Sequence, residues 1–301
     1  MSGRRALVTI ALASALCGCP GMRIEQAQDE VKIALDRTYV AGSQDPKQRL
    51  DLYLPRRTSV PGAKFPVVLF VHGGFWRSQD RRYFQSLSGI YGNVGVALAR
   101  RGIGVCVMSY RLSPAVGIQE QLADVLAALR WVQSNIDAQG GDRRRMVLGG
   151  YSAGGHLATL LGLDVHYMER AGLDASGSVR GYFSLSGIVD VPAMAAQQDS
   201  EFNRDVSFRL FGQTPAEQAR LSPSSFVRAD APPMLFLAAE RDYPFVRSAA
   251  RETAARLEAV GARASTFEIA DYDHEDMVLN VGTSDDRVTD LVAAFVRSVT
   301  R

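Results

Sequence analysis

The sequence predicts an α/β fold, a mostly parallel sheet with helices on both faces, on three observations. Continuous apolar runs of strand length recur, such as Phe65 to Val71 and Gly102 to Tyr110, and such runs suit strands covered on both sides. Between them lie stretches with apolar residues at helical spacing, as at Leu122, Val125, Leu126, Leu129 and Val132. Third, Gly150-Tyr-Ser152-Ala-Gly154 joins an apolar strand-like run directly to an apolar helix-like run. Strand and helix alternating in this way require crossover connections, and these build parallel sheets.

Length and charge bound the rest. A chain of 301 residues, 47% hydrophobic, can bury the core of a single large domain. With 34 Lys plus Arg against 32 Asp plus Glu, the net charge of +2 argues for no nucleic-acid partner.

In chain order, Arg4-Arg5, the apolar stretch Ala6 to Leu16 and Cys17-Gly-Cys19 read as an export signal, too short to span a bilayer comfortably. Leu16-Cys-Gly-Cys19 resembles a bacterial lipobox, which makes Cys19 the lipidated first residue of the mature chain, and residues 1–19 a lipoprotein-type signal peptide. Residues 20–37 then form a tether, and 38–301 the catalytic domain. Cys106, apolar-flanked and alone in that domain, is expected in the core rather than in a disulfide.

Gln48 to Pro55 alternates like a half-buried strand, and Pro61-Gly62 marks a turn. The strand Phe65 to Val71 runs into His72-Gly73-Gly74-Phe75-Trp76, where glycines can aim backbone amides at a ligand. Ser78 to Arg100 is expected to be helical, Gly102 to Tyr110 a strand, and the segment from Ile118 to Gly140-Gly141 a helix. After the Ser152 junction come strands at Val179 to Ser186, Pro233 to Ala239 and Ala264 to Ile269, then a final helix. Residues 188–230 read as a polar, irregular insertion, a lid or pocket wall. Phe202, Phe208, Leu210 and Phe211 either line it or pack it onto the body.

The junction at Ser152 fits the G-x-S-x-G elbow, a strained turn that exposes a nucleophilic hydroxyl and aims the next amide, of Ala153, at an oxyanion. Such a serine needs a base and a carboxylate. Of the four histidines, His72 and His156 sit in the turn and on the new helix, and His166 lies away from any strand end, so all three read as structural. His274 follows a strand in a polar loop and is the expected base. Asp242, beyond the strand ending at Ala239, is the expected acid, with Asp190, Glu240, Asp271 and Asp273 as rivals. No second histidine stands at ligand spacing from His274, Asp273, Glu275 and Asp276, so no metal is expected.

Leu50 to Pro55, His72-Gly-Gly-Phe-Trp76, Ser109-Tyr-Arg111, Gly150-Tyr-Ser-Ala-Gly-Gly-His156 and Ala231 to Leu235 together resemble the α/β-hydrolase superfamily, in its carboxylesterase branch. That branch includes hormone-sensitive-lipase-like, feruloyl-esterase-like and acetyl-xylan-esterase-like proteins and kynurenine formamidases. Gly92 to Arg111, Asn135 to Gly141 and the C-terminal histidine region are also similar to isoprenylcysteine methylesterases. The resemblance, from about residue 48 onward, implies the α/β-hydrolase fold and cleavage of small acyl esters by Ser152, Asp242 and His274, with no cofactor. Because Phe75 stands where many relatives have glycine, Gly73, Gly74 and Phe75 all stay open as partner of Ala153 in the oxyanion hole. A peptidase or amidase of the same fold, and a non-catalytic surface lipoprotein, are the alternatives. A prolyl-oligopeptidase-type enzyme usually carries a large extra domain, for which these residues leave no room, and has an aromatic residue where Ala153 stands.

Overall fold

The computed structural model describes residues 29–56, 62–84, 89–173, 179–197 and 201–301, with the side chains of 201–204 left aside. The signal peptide, Cys19, residues 20–28 of the expected tether, Pro61 and the side chain of Phe202 lie outside the described residues.

Strand β1 (Val31–Thr38) pairs antiparallel with β2 (Arg49–Pro55), and β2 pairs antiparallel with a later strand, Gly104–Met108. Tether residues 31–37 are therefore part of the sheet. The first stretch of parallel pairing begins with β3 (Phe65–Val71), followed by α1 (Ile90–Arg100), β4 (Gly104–Met108) and α2 (Ile118–Asn135). A 3-10 turn, Ile136–Gln139, leads into β5 (Gly141–Tyr151), then α3 (Ala153–Leu163), α4 (Val165–Arg170) and β6 (Val179–Leu185). Three short helices follow, α5 (Val191–Ala195), α6 (Glu201–Phe211) and α7 (Pro215–Ala219), with a 3-10 turn at Pro223–Phe226. The chain closes with β7 (Met234–Ala239), α8 (Pro244–Ala259), β8 (Ala264–Ile269), α9 (Asp276–Leu279) and α10 (Thr289–Val299). The eight strands lie in the order β1-β2-β4-β3-β5-β6-β7-β8. From β4 to β8 every pairing is parallel, so the C-terminal ends of β3, β5, β7 and β8 share one edge.

Alternation explains how an unbroken apolar run serves this sheet. In β3, Val67, Leu69 and Val71 join the core under α2, α3 and α8, while Val68 and Phe70 join the core under α1 and α10. Pro66, which has no amide hydrogen, sits at the start of β3, where its register with β5 is irregular. Cys106 lies in the first of these cores, its thiol pKa pushed up by burial.

Three expectations need correction. Strand β2 is almost wholly buried rather than half-buried, because Leu50, Leu52 and Leu54 join one core, Tyr53 joins the other, and Asp51 is covered by Arg81 and Arg82. The helix expected over 78–100 begins only at Ile90, after Gly89 with φ 65°. Residues before it are held in turns: Arg77 and Ser78 donate to the Gly74 carbonyl, and Arg81 and Arg82 pair with Asp36 and Asp51. The 188–230 insertion is mostly short helix. Asp190 caps α5, and Thr214 with Glu217 forms a capping box on α7, so end signals set pieces too brief to show apolar periodicity. Among the described residues, no helix is long and apolar enough to cross a membrane.

Candidate active site

Strand β5 ends and α3 begins across a single residue, Ser152, at φ 52° and ψ −116°. A serine held there costs on the order of 1–3 kcal/mol, which packing must offset. Its amide donates to Leu185 O of β6 (2.9 Å), and its carbonyl accepts from His156 N (3.0 Å). Gly154 is required beside it: a Cβ there would lie 2.1 Å from the Val71 carbonyl oxygen at the end of β3. Ser152 makes no side-chain cap to its own helix, so the hydroxyl is available elsewhere.

That hydroxyl lies 3.0 Å from His274 Nε2, and His274 Nδ1 lies 2.8 Å from Asp242 Oδ1. Asp242 also accepts from the Tyr243 amide at 2.9 Å. A carboxylate at Nδ1 makes that nitrogen the donor and leaves Nε2 to accept from the serine. Three strand ends supply the three groups: Ser152 follows β5, Asp242 lies three residues past β7 and His274 five past β8. The serine was expected to be exposed, yet Ser152 is only 4% exposed, His274 6% and Asp242 5%. The ring of Tyr243 stands edge-on to that of His274 at 5.2 Å, and the Tyr151 ring lies 5.1 Å away on a tilt.

The rival carboxylates are engaged elsewhere. Asp190 accepts from Ala193 N (2.8 Å) and Ser224 Oγ (3.0 Å), Glu240 accepts from Asp271 N (2.8 Å), and Asp273 and Asp276 exchange backbone-to-carboxylate bonds. Among the described residues, no group of three or more His, Cys, Asp or Glu converges to hold a metal ion.

The other histidines have distinct surroundings. His72 is fully buried, donates from Nδ1 to the Gly73 carbonyl (2.6 Å) and stacks on Tyr110 at 4.4 Å. Burial depresses its pKa from 6.5 to about 4. His156, equally buried, takes the Trp76 indole N–H at Nδ1 (3.2 Å) and donates from Nε2 to the Leu221 carbonyl (2.7 Å). Its pKa is likewise lowered by burial to about 4. His166 is exposed on α4 beside Glu169.

Of the amides expected to face an oxyanion, that of Gly73 is already committed, donating to the Tyr91 hydroxyl at 3.1 Å. Gly74 turns the chain at φ 105°, where a Cβ would meet Ser78 O at 2.2 Å, and Phe75 and Trp76 follow at φ 53° and 59°. Two consecutive left-handed residues with side chains cost roughly 1–3 kcal/mol each. Trp76 is pinned against that cost. Its ring is fully buried, its carbonyl accepts from Ser113 N (2.9 Å) and Gln121 Nε2 (2.8 Å), and its indole binds His156. Ala153 opens α3, where an amide has no acceptor within its own helix.

Of the insertion's aromatic and aliphatic candidates, Phe211 packs edge-on against Trp76 (5.0 Å) and His156 (5.2 Å), and Leu210 packs against the core. Phe208 is 43% exposed. The sequence reading missed Tyr151, whose hydroxyl donates to the His274 carbonyl at 3.1 Å, and whose burial raises its pKa so that it stays a donor. It also missed the Trp76–His156 and Gly73–Tyr91 bonds. A polar ring in an otherwise apolar stretch was the available signal for all three.

Residues 50–255 match the model of the BD-FAE family. The chain is 31% identical over 276 residues to the isoprenylcysteine alpha-carbonyl methylesterase ICME of Arabidopsis thaliana, a match covering 86% of this chain and 61% of that protein. It is 31% identical over 232 residues to esterase LipC of Mycobacterium tuberculosis, covering 74% and 55% respectively. The chain thus spans between 55% and 61% of the length of these two relatives. The crystal structure of esterase B from Lactobacillus rhamnosis superposes with a TM-score of 0.72 at 23% identity, over 92% of this chain and 89% of that one, and shows the same fold.

Proposed function

The chain belongs to the BD-FAE family and has the α/β-hydrolase fold, and from that premise we propose that it hydrolyses carboxylic esters through an acyl-enzyme on Ser152. The observation that carries this reading is the unbroken relay Ser152 Oγ, His274 Nε2, His274 Nδ1, Asp242 Oδ1, with spacings of 3.0 and 2.8 Å. His274 takes the serine proton as Oγ bonds to the ester carbonyl carbon, and Asp242 holds the imidazolium that results. The amide of Ala153, with that of Gly74 or Phe75, stabilises the oxyanion. The tetrahedral adduct collapses, the alcohol leaves with the proton from His274, and the acyl group stays on Ser152. Water, deprotonated by His274, then attacks the acyl carbon, and the acid leaves as the proton returns to Oγ. No step needs a metal or organic cofactor.

The names of the relatives point toward esters, methyl esters among them. A screen with short acyl esters, a peptide methyl ester, a formyl amide and an acetylated sugar separates ester from amide chemistry. Ser152→Ala is expected to abolish ester turnover and fluorophosphonate labelling while the protein still folds. Appreciable turnover in that variant would reject the mechanism, and a wild type that neither labels nor turns over would favour a binding role.

The N-terminal pattern supports a second reading, that the protein is exported and lipid-anchored at Cys19 on the bacterial envelope. Labelled fatty acid should enter the wild type and not Cys19→Ala. No incorporation into the wild type, or persistent incorporation into the variant, refutes it.

A further inference from the structure

We propose that His156 is a positioning residue that ties the β6–β7 insertion to the turn carrying the oxyanion amides, so that the placement of α6 and the segment after it tunes the rate at Ser152. The inference rests on the ester-hydrolase reading and concerns groups outside its three reacting side chains.

Hydrogen-bond inventory leaves His156 a single arrangement. The Leu221 carbonyl can only accept, so Nε2 carries the proton, and the Nδ1 lone pair is left for the Trp76 indole, which can only donate. Neither neutral tautomer exchange nor a ring flip preserves both bonds. On the far side, Trp76 closes the strained stretch Gly74-Phe75-Trp76, and its carbonyl is clamped by Ser113 and Gln121. On the near side, Phe211, the last residue of α6, lies edge-on to both the indole and the imidazole. A shift of Phe211 or Leu221 therefore reaches the turn through two rings with no slack between them, because all three side chains are buried. Trp76 and His156 are 80 residues apart, and His156 and Leu221 are 65 apart, so the link joins three separate parts of the chain.

Oxyanion amides act on charge that exists only in the transition state, so disturbing them lowers kcat with little change in KM. The test measures kcat and KM on a nitrophenyl acetate ester for His156→Phe, Trp76→Phe, Phe211→Leu and the double variant His156→Phe/Trp76→Phe, with thermal unfolding of each. It also follows the shift and exchange of the Trp76 indole proton, assigned by Trp131→Phe. His156→Phe and Trp76→Phe are each expected to lower kcat about 10-fold or more with KM within about 3-fold, and the double variant to be no worse than the weaker single. Phe211→Leu is expected to lower kcat about 3-fold or more and to quicken exchange of the indole proton. Multiplying losses in the double variant, or normal kcat in folded His156→Phe, overturns the proposal. Should the wild type show no ester turnover, the functional reading falls, and the indole proton decides alone. Quickened exchange of that proton in Phe211→Leu upholds the link, and an unchanged exchange rate refutes it.

Discussion

At the scale of single residues, the candidate site turns on which carboxylate serves His274. Asp242 is buried and lies 2.8 Å from Nδ1, whereas Asp190 is spent on capping α5 and on Ser224. Asp242→Asn presents the wrong hydrogen-bonding partner to Nδ1 and leaves the imidazolium unsupported, so kcat is expected to fall by up to about 10⁴-fold with KM little changed. Asp190→Asn should leave kcat within a few-fold of wild type. Steady-state kinetics on the two variants check this, and collapse in Asp190→Asn alone would reverse the assignment. Asp242 could be proposed from sequence because chain order and strand ends place an acid before the base. The commitment of the Gly73 amide to Tyr91 could not, because nothing in the spacing of residues 73 and 91 says that a tyrosine hydroxyl reaches back from the start of α1 to the turn.

The elements meet most tightly where β3, β5 and the start of α3 converge. Gly154→Ala would drive a methyl into the Val71 carbonyl, 2.1 Å from the Cβ, and backbone on both sides cannot give way cheaply. The expected cost is about 3 kcal/mol or more, a large share of the stability of an ordinary domain. A fall in the urea midpoint together with lost activity is the predicted outcome, and a wild-type midpoint would contradict it. The same packing explains what could be read in advance. The strands β3, β4 and β7 and the second half of β5 announce themselves as apolar runs because both faces are covered, whereas β8, at the rim of the sheet, is mostly exposed and mixed in composition. Failures came where tertiary contacts overrule local pattern. Residues 78–84 look helical but are held by a bond to Gly74 and by ion pairs to Asp36 and Asp51 on the N-terminal strands. Helices α5 and α7, each five residues long, carry only caps as signals.

For the whole molecule, two buried neutral histidines set a response to acid. The folded pKa values of His72 and His156 are depressed by burial from 6.5 to about 4, so the unfolded chain binds protons first as pH falls. Stability is therefore full above about pH 6.5 and declines down to about pH 4, by on the order of 3 kcal/mol for each histidine. Urea midpoints across this window should fall with pH, the slope should be shallower in His156→Phe, and exposed His166→Gln should leave it unchanged. A flat wild-type profile would show that neither ring stays neutral. The strand order carries a further consequence, one of timing. Ser152, the proposed nucleophile, follows β5 near the middle of the sheet, while His274, the proposed base, follows β8 at its rim, 122 residues later in the chain. At roughly 5–20 residues per second of synthesis, Ser152 is made on the order of ten seconds before His274 exists. During that interval the serine is an ordinary alcohol. A growing chain that ends before His274 therefore lacks the proposed base, and the Ser152–His274–Asp242 relay can form only once the strand at the rim is in place.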